Sequence, residues 1–491
     1  MTGYKNKNGM ASMKTNRLAP AAWLGALILA GCAAPAFEPP QLAVPAAYKE
    51  PLVPAASAAE AARWKPAQPA EAQPRGEWWK VFGDARLDAL IAQATQANPG
   101  LAAAAARLKQ ARAIAGVTQA EQVPEVNAGF GVQRSRPSAV SLGQADGTPV
   151  RPATAWQGRL SASYEVDLFG RIDSTVNAAE ADAMASEALH RSVLLALQAD
   201  VAQTWFRLRT ADAELALLRE TVGTREENVR ITQRRFEVGD VGELDVVRAR
   251  TELATTRAEA HALERERARL EHALAVLLGQ PASTFDAAPN ALTQAAALPQ
   301  IPAGLPSALL ERRPDISAAQ HAMMAANARI GAARAAMFPA LRLTAAGGGE
   351  SAELADLFEW SSRSWVLGAL MSLPVIDGGR NRNNVLRSEA ALEEAVAGYR
   401  QAVLAAFADV EDNLSALRTL AQQAAAIDEA LTSARRSAEL ADKLYAAGRS
   451  GYLEVLDAQR NLQTVQRNAV QLRGARAVAT VALIRSLGGA W

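Results

Sequence analysis

Cysteine and histidine are almost missing from this sequence: 491 residues hold one cysteine, Cys32, and four histidines, His190, His261, His272 and His321. A lone cysteine excludes an intrachain disulfide. So few soft ligands, scattered over predicted helices, leave no raw material for a Cys/His metal centre. Charge of one sign is also lacking. Lys and Arg number 52 against 51 Asp and Glu, for a formal net charge of +1, so no basic excess points to a nucleic-acid partner. Aromatics are only 5% of the chain, few for a thick globular core but natural for closely packed helices. There is no glycine-rich phosphate loop ending in Lys-Ser/Thr and no nucleophile elbow. The plentiful carboxylates fit i,i+4 pairing on helix surfaces. Together these absences argue against an enzyme and against a bound cofactor or metal.

What is present begins at the N-terminus. Lys14 and Arg17 precede an apolar run, Ala21 to Ala30, too short to span a bilayer as a helix. It ends in Leu29-Ala30-Gly31-Cys32, the pattern of a bacterial lipobox, so residues 1–31 read as a lipoprotein signal peptide and Cys32 as the lipid-attachment site. An ordinary signal peptide followed by a stray cysteine is the alternative; the only cysteine in the chain falls at this position. Ala33 resembles the sorting pattern of outer-membrane lipoproteins. Met10 or Met13 would serve as a start as well as Met1, because the basic region would survive. Residues 32–83, rich in Pro and Ala from 34 to 75, read as an extended wrap or linker.

The mature chain repeats itself. At a constant offset of 209, Trp156 matches Trp365, Gly170-Arg171 matches Gly379-Arg380, Asp200-Val201 matches Asp409-Val410, and Leu278-Gly279 matches Leu487-Gly488. Phe236, Gly239 and Gly242 match Tyr445, Gly448 and Gly451 in the same register. Residues 84–279 form a first repeat, 280–302 a linker and 303–488 a second repeat. Each reads helix, strand, strand, long helix, tight turn, helix. Pro99 and Pro314 suit the first turn of a helix, and Pro124 and Pro339 lead from helix into strand.

From Thr154 to Leu168 the even positions are largely apolar. The odd positions include Gln157, Arg159, Ser163, Glu165 and Asp167. Val126, Ala128, Phe130 and Val132 alternate likewise, as do Leu341, Leu343 and Ala345, and Trp365, Leu367, Ala369, Met371 and Leu373 share the phase. A half-buried soluble sheet would alternate in the same way. Strands of roughly ten residues, and the aromatics Trp156, Phe358, Trp360 and Trp365 as interface girdles, favour lipid. The polar odd positions would then line a lumen. One chain supplies four strands, and a closed membrane barrel needs about eight or more, so chains must share a barrel. Three chains would give twelve strands. The proline-free stretches Arg171 to about Val238 and Arg380 to about Ala447 predict helices roughly 100 Å long. Helices of about 24 residues after Pro99 and about 37 after Glu243 would flank the first of them. The returning helix keeps a mostly apolar 3-4 seam with Arg267 off the pattern, as Arg476 is in its repeat mate.

The order of Trp78-Trp79, Phe82-Gly83-Asp84, Tyr164 to Arg171, Arg313-Pro314-Asp315-Ile316, Asn327 to Pro339, Pro374 to Arg380 and Tyr452 to Arg460 resembles the TolC-like outer-membrane efflux family. With the lipobox, it resembles the lipoprotein (NodT-type) branch that partners resistance–nodulation–division pumps. The likeness runs from about Phe37 to the C-terminus. It implies a mixed α/β membrane protein: a homotrimer with a twelve-stranded transmembrane β-barrel, four strands per chain, continued by a long α-helical coiled-coil barrel. Residues 280–302 and the chain ends would form an equatorial belt. The implied role is passive conduction of drugs or other small molecules, with a periplasmic adaptor protein and an inner-membrane transporter as partners and outer-membrane lipid around the barrel. The same fold serves type I protein-secretion ducts, and a pore-less periplasmic coiled-coil lipoprotein is the alternative from another class. The resemblance places a periplasmic gate at Leu453, Glu454, Asp457, Arg460 and Tyr445, with Asp245 in the first repeat. Ser450 stands where some members carry arginine. The tip glycines Gly239, Gly242, Gly448 and Gly451 permit tight helix reversal and are the expected adaptor contact.

Overall fold

The computed structural model describes residues 76–145, 147–292 and 312–489, together with 37, 40, 44, 45, 47–50, 299 and 310. The signal peptide, Cys32, Ala33 and most of the 280–302 linker beyond Leu292 lie outside the described residues. The described chain divides into two compact units.

One unit holds Arg112–Asp182 and Ala322–Ala395. Its strands are β1 (Glu125–Ser135), β2 (Ala153–Val166), β3 (Ala340–Ser351) and β4 (Arg363–Ser372). They form one antiparallel sheet in the order β1-β2-β3-β4, leaving β1 and β4 as open edges. The register sorts the two faces as the alternation predicts. Ala128 faces Leu160, Tyr164 faces Leu343, and Leu343 faces Ala369 on one side. On the other, Gln157 faces Glu350, Ser163 faces Thr344 and Glu165 faces Arg342. β4 departs from strict alternation: Val366 and Leu370 fall opposite Ala346 and Arg342, on the polar face. The apolar face is bare, with Phe130, Leu160, Trp365 and Leu367 all exposed. Phe358 and Trp360, each 81% exposed, stand between β3 and β4, with the Arg363 guanidinium 4.5 Å from the Trp360 ring centre.

The strand-to-helix junctions use carboxylates. Asp167 accepts from the Asp173 backbone N–H at 2.8 Å, and Asp377 accepts from Gly379 and Asn381 at 2.9 Å each. Each satisfies donors that a helix start leaves unpaired. The helices that begin there are α3 (Arg171–Glu237) and α6 (Arg380–Ala446), 67 residues each.

The other unit contains the remaining described residues. Its elements are α1 (Ala85–Ala97), most of α2 (Pro99–Gln119), α4 (Glu243–Leu277), the start of α5 (Pro314–Ala335), α7 (Tyr452–Ser486), and the distal parts of α3 and α6. The helix after Pro99 is 21 residues rather than about 24, because a 3-10 turn at Ala120–Gln122 finishes it. The helix after Glu243 is 35 residues rather than about 37. A separate α1 precedes α2. Asn98 breaks the two apart, its amide donating to the Leu277 carbonyl and its side-chain oxygen accepting from Leu101 N–H. Among the described residues no helix is long and apolar enough to cross a membrane.

This unit's core gathers Trp78, Trp79, Leu87 and Ile91 against Trp205, Phe206, Leu208, Leu278, Leu414 and Ile484. Asp84 locks the N-terminal segment onto it. One carboxylate oxygen caps α1 through Arg86 and Leu87, and the other accepts from Trp205 Nε1 and Arg209 Nη1, both at 2.8 Å. Two extended segments are tied to the helices by carboxylates that accept backbone N–H groups. Glu411 holds Lys49 and Glu50 at 2.7 and 3.1 Å, and Arg418 grips Glu50 at 2.8 Å. Glu271 holds Ala287 at 2.6 Å and Asp212 holds Asn290 at 2.8 Å.

Candidate functional site: the helical tips

Each long helix ends in a glycine-closed turn. Gly239 and Gly448 adopt φ of +80° and +70°, the left-handed region that glycine enters without steric cost. Around them Gly239 N–H donates to Phe236 and Asp240 N–H to Arg235, while Gly448 N–H donates to Tyr445 and Arg449 N–H to Leu444. This double pattern closes a helix C-terminus. Gly242 and Gly451 do not share the role expected of them. They precede α4 and α7 at φ −84° and −82°, ordinary extended backbone. The reversal therefore needs two glycines per chain, not four.

The two hairpins pack through an aromatic cluster. Tyr452, Val455, Leu456 and Ala249 are buried together, with Tyr445 and Val229 against them. The Tyr445 and Tyr452 rings lie 5.6 Å apart, and the Arg235 guanidinium sits 4.8 Å from the Tyr445 ring centre while pairing with Asp240 at 2.5 Å. Burial pushes both phenols above their usual pKa.

The expected gate residues separate into two environments. Leu453, 49% exposed, with Glu454 and Asp457 forms an exposed stripe on the first turns of α7. Tyr445 instead lies inside the cluster, and Asp245 is half-buried in the first turn of α4, 3.6 Å from Arg248. Arg460 pairs with Glu252 on α4. That hydrogen bond holds the buried Glu252 carboxyl below the usual glutamate range. Arg460 therefore ties the two hairpins of one chain.

Other residues complete this tie, and the sequence did not single them out. Arg225, 2% exposed, donates to Gln459 at 2.6 Å, and Gln459 donates onward to Asp442 at 3.2 Å. Arg467 meets Glu214 at 2.9 Å and Glu259 at 2.9 Å. A usable signal existed: at the repeat offset, Arg225 is replaced by Ala434 and Arg467 answers to Ala258. Charged residues that break an otherwise regular repeat mark places where its two halves make different contacts.

On the sheet, Gln157 and Arg159 are exposed on the polar face, Ser163 and Glu165 are half-buried there, and Asp167 lies just past the end of β2. Glu165 pairs with Arg171 at 2.8 Å, so two of these five residues secure the strand–helix junction as well as carrying charge. Among the described residues no three His, Cys, Asp or Glu side chains gather into a metal-holding group.

A sheet that is apolar on one face and open at both edges, feeding helices of 67 residues, defines a TolC-like outer-membrane channel. The chain belongs to the outer membrane efflux protein family, whose model matches residues 90–280 and again 305–489. It is 36% identical to the outer membrane protein OprJ of Pseudomonas aeruginosa over 418 residues, covering 84% of this chain and 86% of OprJ. It is 32% identical to the probable outer membrane lipoprotein SilC of Salmonella typhimurium over 473 residues, covering 94% and 97%. The open state of the MtrE outer membrane channel of Neisseria gonorrhoeae superposes with a TM-score of 0.80 at 28% identity, covering 93% of this chain and 98% of MtrE.

Proposed function

We propose that this protein is the outer-membrane exit duct of a tripartite efflux pump, passively conducting drugs or other small molecules. It works as a homotrimer with a periplasmic adaptor and an inner-membrane resistance–nodulation–division transporter, and Cys32 carries the lipid anchor. The observation that carries the reading is the sheet with two unpaired edges and a bare apolar face. Each unpaired backbone group would cost several kcal/mol in hydrocarbon, so β1 and β4 must find edges of other copies. Three copies bring twelve strands around a lumen faced by Gln157, Arg159, Ser163 and Glu165, with Asp167 at its periplasmic rim. The tips form the gate: Leu453, Glu454 and Asp457 become three-fold rings whose carboxylates favour cations and bind divalent ions. Tyr445, Asp245 and Arg460 support that ring from behind. The exposed flanks of Gly239, Gly242, Gly448 and Gly451 receive the adaptor.

The test is purification of the tagged full-length protein from crosslinked membranes, followed by planar-bilayer recording. A trimer that conducts, recovered with an adaptor and a proton-driven transporter, is the expected result. Recovery with an ABC exporter instead assigns the duct to protein secretion. A trimer without conductance, or a monomer, overturns the duct.

A further inference from the structure

The apolar face of the sheet carries charge at one end. Arg134 shares the even phase of β1 with Phe130 and Val132, and Arg363 lies opposite Gly349, which lies opposite Gly158. Both arginines therefore stand on the apolar face, and no carboxylate of the four strands joins them there. The polar face instead mixes its signs, with Arg159 and Arg342 beside Glu165 and Glu350. Arg134 falls just before the end of β1 and Arg363 opens β4, so both mark the rim away from the strand–helix junctions. Each also lies on an open edge of the sheet.

The ladders say where these arginines meet. Straight across the sheet from Arg363 come Gly349, Gly158 and then Phe130, short of the end of β1 at Ser135. Such a slip along the strands is the stagger that a closed barrel needs for its strands to end at one rim. One more step of the same slip, from β4 of one copy to β1 of the next, carries Arg363 opposite the last residues of that β1. The pleat puts only even positions of β1 on this face, so the residue met there is Arg134 or, one pleat on, Arg136. Like charges opposite one another across a strand pair repel. Among the described residues none of the three arginines has a carboxylate partner, and all three are exposed.

The surroundings are those of a lipid headgroup. Trp360 stacks on the Arg363 guanidinium, 4.5 Å from its ring centre, and Phe358 and Trp365 stand exposed beside it. Rings of this kind settle at headgroup depth. The turn Leu354–Phe358 lies over the apolar face at the same rim. Its Leu357 is buried over Gly158 and Gly349, so closely that a Cβ at Gly349 would overlap the Leu357 carbonyl oxygen. A trough of about 590 Å³ runs beside this turn, lined by Leu160, Gly347, Phe358 and Arg363. An apolar trough that ends at guanidiniums matches a molecule with an acyl chain and an anionic head.

We propose that each seam between copies binds an acylated, phosphorylated glycolipid of the outer leaflet. Its phosphate bridges Arg363 of one chain to Arg134 and Arg136 of the next, and an acyl chain lies in the trough. This rests on the trimeric barrel proposed above. Guanidinium forks meet phosphate oxygens with paired N–H···O bonds, and the phosphate charge offsets the repulsion that the seam otherwise carries. A free anion would leave the trough and the exposed rings bare. An uncharged lipid would leave the arginines facing one another at the edge of the hydrocarbon. A lipid with both parts satisfies all of them at once.

The test measures binding of purified lipopolysaccharide to the full-length protein, delipidated in detergent, with its oligomeric mass followed by light scattering. Arg363→Gln, and Arg134→Gln combined with Arg136→Gln, should each weaken binding by about ten-fold or more. Arg363→Lys, which keeps the charge and loses the fork, should weaken it less. Arg159→Gln removes the same charge from the opposite face and should leave binding within about two-fold of wild type. Dephosphorylated lipopolysaccharide should bind wild type about ten-fold more weakly than the intact lipid, and inorganic phosphate at the same concentration should not displace the intact lipid. Equal binding by the Gln variants and wild type, both trimeric, overturns the proposal. So does equal binding of the dephosphorylated lipid, which also decides the matter if the Gln variants fail to assemble. Displacement by inorganic phosphate would assign the arginines to a free anion and overturn it too. A wild-type protein that is monomeric by light scattering overturns the trimeric reading instead.

Discussion

Arg267 on α4 donates to Asp212 on α3 at 2.7 Å, and both side chains are withdrawn from solvent at 15% and 3% exposed. Arg267 also pairs with Glu271 at 2.8 Å and donates to the Ala287 carbonyl, while Asp212 and Glu271 accept the backbone of Asn290 and Ala287. The one arginine in an otherwise mostly apolar helical seam is thus the buckle that fastens the segment following α4. Replacing it with methionine should destabilise the protein by about 3–5 kcal/mol, the usual cost of leaving a buried carboxylate unpaired. Hydrogen exchange should then rise first at 285–292. Protection there equal to wild type would refute the buckle.

The tip glycines separate by backbone conformation. Gly239→Ala and Gly448→Ala each force a Cβ into the left-handed region and should cost about 1–2 kcal/mol. Gly242→Ala and Gly451→Ala sit at ordinary angles and should leave the melting temperature almost unchanged. The Cβ at Gly451 meets only the Glu454 carboxylate, which can swing away. If the second pair abolishes drug efflux with melting unaltered, the loss belongs to adaptor binding. Full efflux in both variants would remove them from the contact.

The exposed stripe of Leu453 and Asp457 carries the gate assignment. Combining Leu453→Ala with Asp457→Lys should raise single-channel conductance by several-fold, and Asp457→Asn alone should reduce cation preference. Conductance equal to wild type in the double variant sinks the assignment.

Acid should loosen the tips. The Arg460 hydrogen bond lowers the Glu252 pKa in the folded protein below its unfolded value. The stabilisation is therefore present above the unfolded value, about 4.3 for glutamate, and is lost as pH falls through the folded one. Wild type should resist protease at the α7 tip better than Glu252→Gln at pH 7, and the gap should narrow progressively as pH falls below the unfolded glutamate value. A gap that persists or widens in acid would contradict the linkage.

Much of this architecture is legible in the sequence, for reasons that are local. Alternation fixes the sheet faces because strand side chains have a period of two, and Pro99, Pro124, Pro314 and Pro339 punctuate the elements through constraints on their own backbone. What stays hidden is long-range. Glu252 and Arg460 are 208 residues apart, and Arg225 and Gln459 are 234 apart; each reads singly as a charged or polar helix residue. Gly242 and Gly451 read like Gly239 and Gly448 because composition cannot distinguish a glycine that needs its freedom from one that does not. Pro99 marks where one helix begins, but nothing comparable singles out the separate helix Ala85–Ala97 before it.

The bare edges of the sheet carry one more consequence. β1 offers 11 residues and β4 offers 10, each ready to template another strand. A lone chain that entered the bilayer would strand those backbone groups in hydrocarbon, and a pair joined along one seam would still present two such edges. The closed ring of three leaves none. The membrane itself therefore acts as the inspector of assembly, refusing every intermediate short of the complete duct, and the rate at which ducts appear should climb steeply with the number of chains waiting beneath it.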